Sequence, residues 1–215
     1  MLKGFSRTLR YSTYMGTKTF LYSLLATAIY SVYFQLIEEM GNLTLILSGL
    51  KTYLPLVTMM LTMIFGMVGS VTSVPLQISF GAKRSYAAVS IACNGLVTSA
   101  ESLALYIVYC AIVSNFGVST DVSHIGTIVC LYICGIGITS LMSVLVMSFG
   151  RIAYLIAVIT MCVFVGIASG ILAADKGDYL AGILHGSVLM AVAAVAFIVG
   201  NGVLIAYSKR IVVKS

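Results

Sequence analysis

One acid is placed where it must do something. Glu101 lies inside a long apolar run, and Ser90, Asn94 and Thr98 precede it at helical spacing, so the four share one helix face. An ionised carboxylate in hydrocarbon costs on the order of 3 kcal/mol. Glu101 is therefore expected to face protein, water or a partner cation, or to hold its proton. A stripe of this kind lines a substrate path, seats a second subunit, or ties helices together through hydrogen bonds.

Other chemistry is hard to assemble. His124 and His185 fall outside the apolar runs or at their edge, and no acid-rich metal set and no Gly-x-Ser-x-Gly nucleophile turn occurs. Cys130 and Cys134 share a face but lack a spaced His or carboxylate. With Cys93, Cys110 and Cys162 they read as small buried hydrophobes. There is no Gly-x-x-x-x-Gly-Lys-Ser/Thr phosphate loop. The chain is expected to be no enzyme, to hold no metal or organic cofactor, and to draw any driving energy from a partner or an ion gradient.

The elements that position Glu101 are membrane-spanning. Of 215 residues, 60% are hydrophobic and 8% charged, against roughly 25% charged in a soluble domain. The net charge of +6 does not indicate nucleic acid, because the cations sit at the ends of apolar runs. The expected fold is an all-α integral membrane protein with six transmembrane helices, over 19–36, 53–74, 86–113, 125–147, 152–172 and 180–207. An amphipathic helix is expected ahead of them over residues 2–18. Lys3, Arg7, Arg10 and Lys18 fall within roughly an 80° arc there, while Phe5 and Leu9 point toward lipid. The run after Leu24-Leu25-Ala26-Thr27-Ala28 continues to Leu36, so it reads as a retained first span and not a cleaved signal. Met40–Thr52 reads as an external loop or short interfacial helix, with Pro55 in the first turn of the second span. Pro75 marks where that helix ends or bends.

Charge sets the orientation. Lys3, Arg7, Arg10, Lys18, Lys83, Arg84, Arg151, Lys209, Arg210 and Lys214 fall on one side of a six-span chain, and Lys51 and Lys176 on the other. The positive-inside rule puts both termini in the cytoplasm of a multi-pass cell-membrane protein. Ser79-Phe80-Gly81 recurs as Ser148-Phe149-Gly150, each soon followed by a cation, which reads as shared turn chemistry. Gly166 with Gly170, and Gly182 with Gly186, read first as helix packing within the chain.

With its amphipathic start, its six spans and the phrase Ser79-Phe80-Gly81-Ala82-Lys83-Arg84, the chain resembles the membrane (permease) subunits of type-2 ABC exporters. The resemblance covers the whole architecture, and its motif-like part is those six residues. It implies an elbow helix at Leu2–Lys18 and a cytoplasmic coupling segment at 75–85 that grips a cytosolic ABC ATPase carrying ATP and Mg. In that segment Pro75, Gln77 and Ser79 would form a short helical piece, with Phe80 and Gly81 at its tip. Lys83 and Arg84 would meet acidic groups on the partner. It also implies pairing with a second copy or a sister permease, contact with membrane lipids, and export of an amphipathic or hydrophobic peptide or lipid-like substrate. The segment after the fifth span is short for that family, which leaves the substrate open. Two other readings remain: an accessory or immunity membrane subunit, and a substrate-capture subunit of an uptake transporter with one polar pocket.

Overall fold

The computed structural model describes residues 43–115, 125–173 and 187–209, together with individual helical positions between 6 and 29. Among the described residues there is no strand. Five helices follow in order: α1 (Leu43–Ser79), α2 (Arg84–Ser114), α3 (Ile125–Phe149), α4 (Arg151–Ala173) and α5 (Ser187–Ser208). Each contains a stretch long and apolar enough to cross a membrane, and the chain is a multi-pass α-helical membrane protein by that measure. Span 19–36 lies mostly outside the described residues, as do 180–186, the loop 116–124 and Gly182 with Gly186.

The helix at Tyr53 starts earlier and ends later than its hydropathy indicates. α1 is already helical at Leu43 and runs unbroken through Pro55 and Pro75. The segment before Tyr53, expected as an external loop or short interfacial helix, is helical from Leu43 and continuous with α1, and Pro55 sits inside a helix instead of its first turn. Proline removes one backbone donor and crowds the carbonyl four residues back, and two side chains bond the backbone around the first site. Thr58 donates to the Leu54 carbonyl at 2.8 Å, and Tyr132 from α3 donates to the Pro55 carbonyl at 3.2 Å. Pro75 likewise fails to end the helix, which continues to Ser79.

Cross-bonds fix the directions. Thr58 bonds Tyr132 and Ser70 bonds Ser143, so α1 and α3 run parallel. Ser90 meets Gln77 near one end of the α1–α2 pair, and Tyr109 donates to the Leu47 carbonyl near the other, so these two are antiparallel. Leu204 of α5 packs with Val74 of α1 and with Val144 and Met147 of α3, placing the end of α5 beside theirs. One end of the bundle therefore gathers the α1–α2 turn, the α3–α4 turn and the end of α5. It carries Lys83, Arg84, Arg151 and Lys209, and the opposite end carries Lys51. That asymmetry is what the positive-inside rule requires of an oriented membrane protein.

α3 is the axis and packs against all four other helices. Of its apolar window 56% is buried within the chain, against 22% for α4, which has the highest mean hydropathy of the five. The most apolar helix is the least covered, as expected where lipid is the outer solvent. Packing is correspondingly close. Gly137 and Gly200 bring the backbones of α3 and α5 into contact: a Cβ on Gly200 would stand 2.1 Å from the Gly137 carbonyl oxygen. Three buried methionines one helical turn apart (Met59, Met63 and Met67) fill the α1 side of the core, where their flexibility suits irregular gaps.

Among the described residues, Gly166 and Gly170 pack against nothing. A Cβ on either meets nothing within 4 Å. The close approach falls on Gly137 and Gly200, because α5 crosses α3 there while this part of α4 faces outward.

Candidate functional site

Two places collect the functional candidates: the α1–α2 turn at the basic end, and the polar flank of α2 above it.

The turn is built by Gly81. Its φ is +83°, a left-handed conformation that costs other residues strain. Ala82 N–H donates to the Gln77 carbonyl at 2.9 Å and Gly81 N–H to the Ile78 carbonyl at 3.0 Å. This pair of bonds is a Schellman motif, which satisfies the last carbonyls of α1 and fixes where the chain turns. The second Ser-Phe-Gly phrase does the same work in simpler form. Gly150 has φ +69°, and its N–H donates to the Val146 carbonyl at 2.9 Å. The shared turn chemistry read from the sequence is thus present in the backbone of both copies.

Each turn leaves its phenylalanine outside: Phe80 is 82% exposed and Phe149 is 73% exposed. The rest of the expected coupling set divides. Ser79 is exposed and donates to the Leu76 carbonyl, and Lys83 is exposed with its Nζ 5.7 Å from the Tyr86 ring centroid. Pro75 is half-buried within α1, and Gln77 is buried, its Oε1 3.2 Å from Ser90 Oγ. Arg84 is turned to an internal task. Its Nη1 donates to the Lys209 carbonyl at 2.8 Å, placing a cation at the negative end of the α5 dipole.

The stripe residues on α2 bond their own helix and its neighbours. Ser90 is buried and also donates to the Ala87 carbonyl, while Thr98 is buried and donates to the Asn94 carbonyl at 2.9 Å. Glu101 Oε1 accepts from Thr17 Oγ1 at 3.0 Å. Glu101 Oε2, Asn94 Oδ1 and Ser99 Oγ are buried without a protein partner. Unmet polar atoms are costly in a dry interior, and these three lie along one helix.

Thr17 is the partner that sequence reasoning missed. Glu101 lies about 26 Å along α2 from Arg84 at 1.5 Å per residue, so Thr17 sits far from the basic end. Tyr22 stacks on Phe65, in the middle of α1, with ring centroids 6.0 Å apart. Residues around 17–22 thus pack along the flank of α1 and α2. Arg10 and Lys18 are exposed and helical, while Lys3, Phe5, Arg7 and Leu9 lie outside the described residues. Between this segment and the two helices is a cavity of about 330 Å³, walled by Lys18, Tyr22, Phe65, Gln77, Ser90 and Asn94 among others.

A second polar contact, also unforeseen, locks the core. Ser140 donates to Asn201 Oδ1 at 3.0 Å, one turn from the Gly137–Gly200 crossing, and Asn201 Nδ2 donates to the Phe197 carbonyl at 2.8 Å. The signal was available: Asn201 is an amide flanked by two glycines inside an apolar run. Among the described residues no cluster of His, Cys, Asp or Glu could hold a metal. The five cysteines are free. Compared with known proteins, the chain matches no family model, no curated protein and no solved structure.

Proposed function

We propose that this chain is the membrane subunit of an ATP-driven exporter of the type-2 ABC kind, working with a second copy or a sister permease. A separate cytosolic ATPase supplies the energy and binds the turn at Phe80–Lys83. The observation that carries the reading is Phe80 itself, held 82% exposed at the tip of a turn closed by two backbone bonds, on the cation-rich end of the bundle. A stiff, exposed aromatic is suited to fill a groove on a soluble partner, and Lys83 beside it suits acidic groups at that groove's rim. Force applied there passes directly into α1 and α2, because the Schellman bonds leave little slack between them. The polar row on α2 serves as the wall of an export path for an amphipathic peptide or lipid-like substrate.

The test is co-purification from native membranes in mild detergent, followed by reconstitution with the captured ATPase. Phe80→Ala combined with Lys83→Glu is expected to leave ATP hydrolysis running while transport stops. A double variant that stays fully coupled overturns the assignment, as does purification without any nucleotide-binding partner. Arg84 is a poor target for this test, since removing it also releases the end of α5.

A further inference from the structure

The two Ser-Phe-Gly turns share a backbone solution but not a level. A Cβ on Gly66 of α1 would stand 2.9 Å from the Thr139 methyl of α3, Ser70 bonds Ser143 and Thr58 bonds Tyr132. Residues of α3 therefore stand level with α1 residues 73 or 74 positions earlier, and Phe149 is level with Pro75 or Leu76. α1 continues to Ser79, so Phe80 lies about 6–7 Å farther out at 1.5 Å per residue. The bilayer position follows from α4. Its apolar stretch, Ile152–Leu172, has 21 residues, about 31 Å at that rise, which matches a hydrocarbon core of about 30 Å. Ile152 therefore stands at the edge of the core, with Phe149 and Arg151 beside it. The corresponding stretches of α1 and α2 have 27 and 31 residues, roughly 40 and 46 Å, and their shared turn has the length to leave the membrane. Composition changes with level. Met147, Ile152 and Leu155 neighbour Phe149, whereas Ser79, Lys83, Arg84 and Ser85 neighbour Phe80.

We propose that the α3–α4 turn is anchored in the lipid leaflet at the basic end, with Phe149 and Ile152 inserted among the upper acyl carbons, while Phe80 stands clear in water. Three features commit the α3–α4 turn to lipid. Phe149 continues an exposed apolar edge, through Ile152, Leu155 and Ile156, of the helix least covered by the chain. Its level is the boundary between acyl chains and headgroups, where a patch that is apolar on one side and cationic on the other is stable. Arg151 lies in sequence between the two apolar residues, so position 151 brings a cation to the depth of the lipid phosphates. A soluble protein resting on Phe80 would be held off Phe149 by the step between the turns. The assignment needs no partner subunit, and so it stands apart from the exporter reading.

The chain contains no tryptophan, so Phe149→Trp and Phe80→Trp each place a single fluorescent reporter at the same position of a like turn. Each full-length variant is reconstituted alone in nanodiscs of phosphatidylcholine and phosphatidylglycerol in equal parts. Quenching is read with lipid brominated near the top of the acyl chain, and with acrylamide in the water. For Phe149→Trp the expected result is blue-shifted emission, with quenching by brominated lipid several-fold stronger than for Phe80→Trp. For Phe80→Trp it is red-shifted emission, with acrylamide quenching several-fold stronger than for Phe149→Trp. Ile152→Trp is a second reporter at the anchored level. It is expected to follow Phe149→Trp, and it decides should the Phe149 variant fail to fold. Equal lipid quenching of the Phe149 and Phe80 reporters overturns the proposal, since the turns then share a level. A Phe149 reporter open to acrylamide also overturns it, and leaves that turn to a soluble partner. A Phe149 reporter that neither quencher reaches overturns it too, and assigns the turn to contact with a second copy.

Discussion

At the scale of single residues, the glycines of this chain separate into three groups with different costs. Gly137 and Gly200 sit where two backbones touch, and an added methyl would stand within 2.2 Å of backbone atoms. Gly137→Ala is expected to cost about 3 kcal/mol or more, since neither backbone can yield without parting α3 from α5. Gly81 has open space around it but a φ of +83°, so Gly81→Ala is expected to cost about 1 kcal/mol through backbone strain alone. Gly166 has neither constraint, and Gly166→Ala is expected to leave the monomer's stability unchanged. Thermal unfolding in one detergent, with the three variants compared side by side, checks the order. A Gly137 variant as stable as the Gly166 variant would remove the close crossing. Glu101 belongs to this scale as well. In the export reading, Glu101→Gln is expected to lower transport at least ten-fold while the fold survives, because the amide can still accept from Thr17. Unchanged transport by that variant would reduce the α2 row to a structural network.

At the scale of elements, the bundle is held by cross-helix polar contacts as much as by apolar fit, because lipid removes most of the hydrophobic drive between helices. The Ser140–Asn201 bond is the clearest case, and Asn201→Leu is expected to destabilise the α3–α5 pair by about 0.6–1.7 kcal/mol. Denaturation in mixed detergent micelles reads this directly, and an equal or greater stability for the variant would show the bond to be dispensable. The spans α2, α3 and α4 were legible in the sequence to within two residues at each end, because long apolar runs bounded by cations leave little freedom. The start of α1 was not. Gly49, Lys51 and Pro55 read as a loop or a helix beginning, but the helix runs through them, and Tyr132 of α3 bonds the Pro55 carbonyl, a contact the local sequence does not show. The small-residue pairing was also misplaced. Four-residue spacing picks out Gly166 and Gly170 but not Gly137 and Gly200, which lie on different helices and meet only through the path of α5. The two turns, in contrast, were readable down to the conformation of Gly81 and Gly150, since Ser-Phe-Gly at a helix end has a local solution.

At the scale of the whole molecule, one face of α4 is left uncovered by the described residues. Cys162, Gly166 and Gly170 lie one helical turn apart and are all exposed. If the functional unit is a pair meeting on this face, Cys162 forms an intermolecular bridge on oxidation or with a short thiol crosslinker in native membranes, and Gly166→Leu prevents it. Absence of a crosslinked dimer at Cys162, with a dimer still present by mass, would move the contact to another face. The placement of Glu101 against Thr17 also ties the N-terminal segment to the bundle, so removing residues 1–18 is expected to lower stability beyond the loss of surface charge. An unchanged melting temperature for that truncation would dissociate the two.

One residue, Gly150, separates α3 from α4, and the Tyr154 N–H already bonds the Gly150 carbonyl at 3.2 Å. During synthesis this leaves no loop to be threaded or held back between the two crossings. α3 and α4 are therefore expected to insert as a pair, with Arg151 at the tip favouring the cation-rich side.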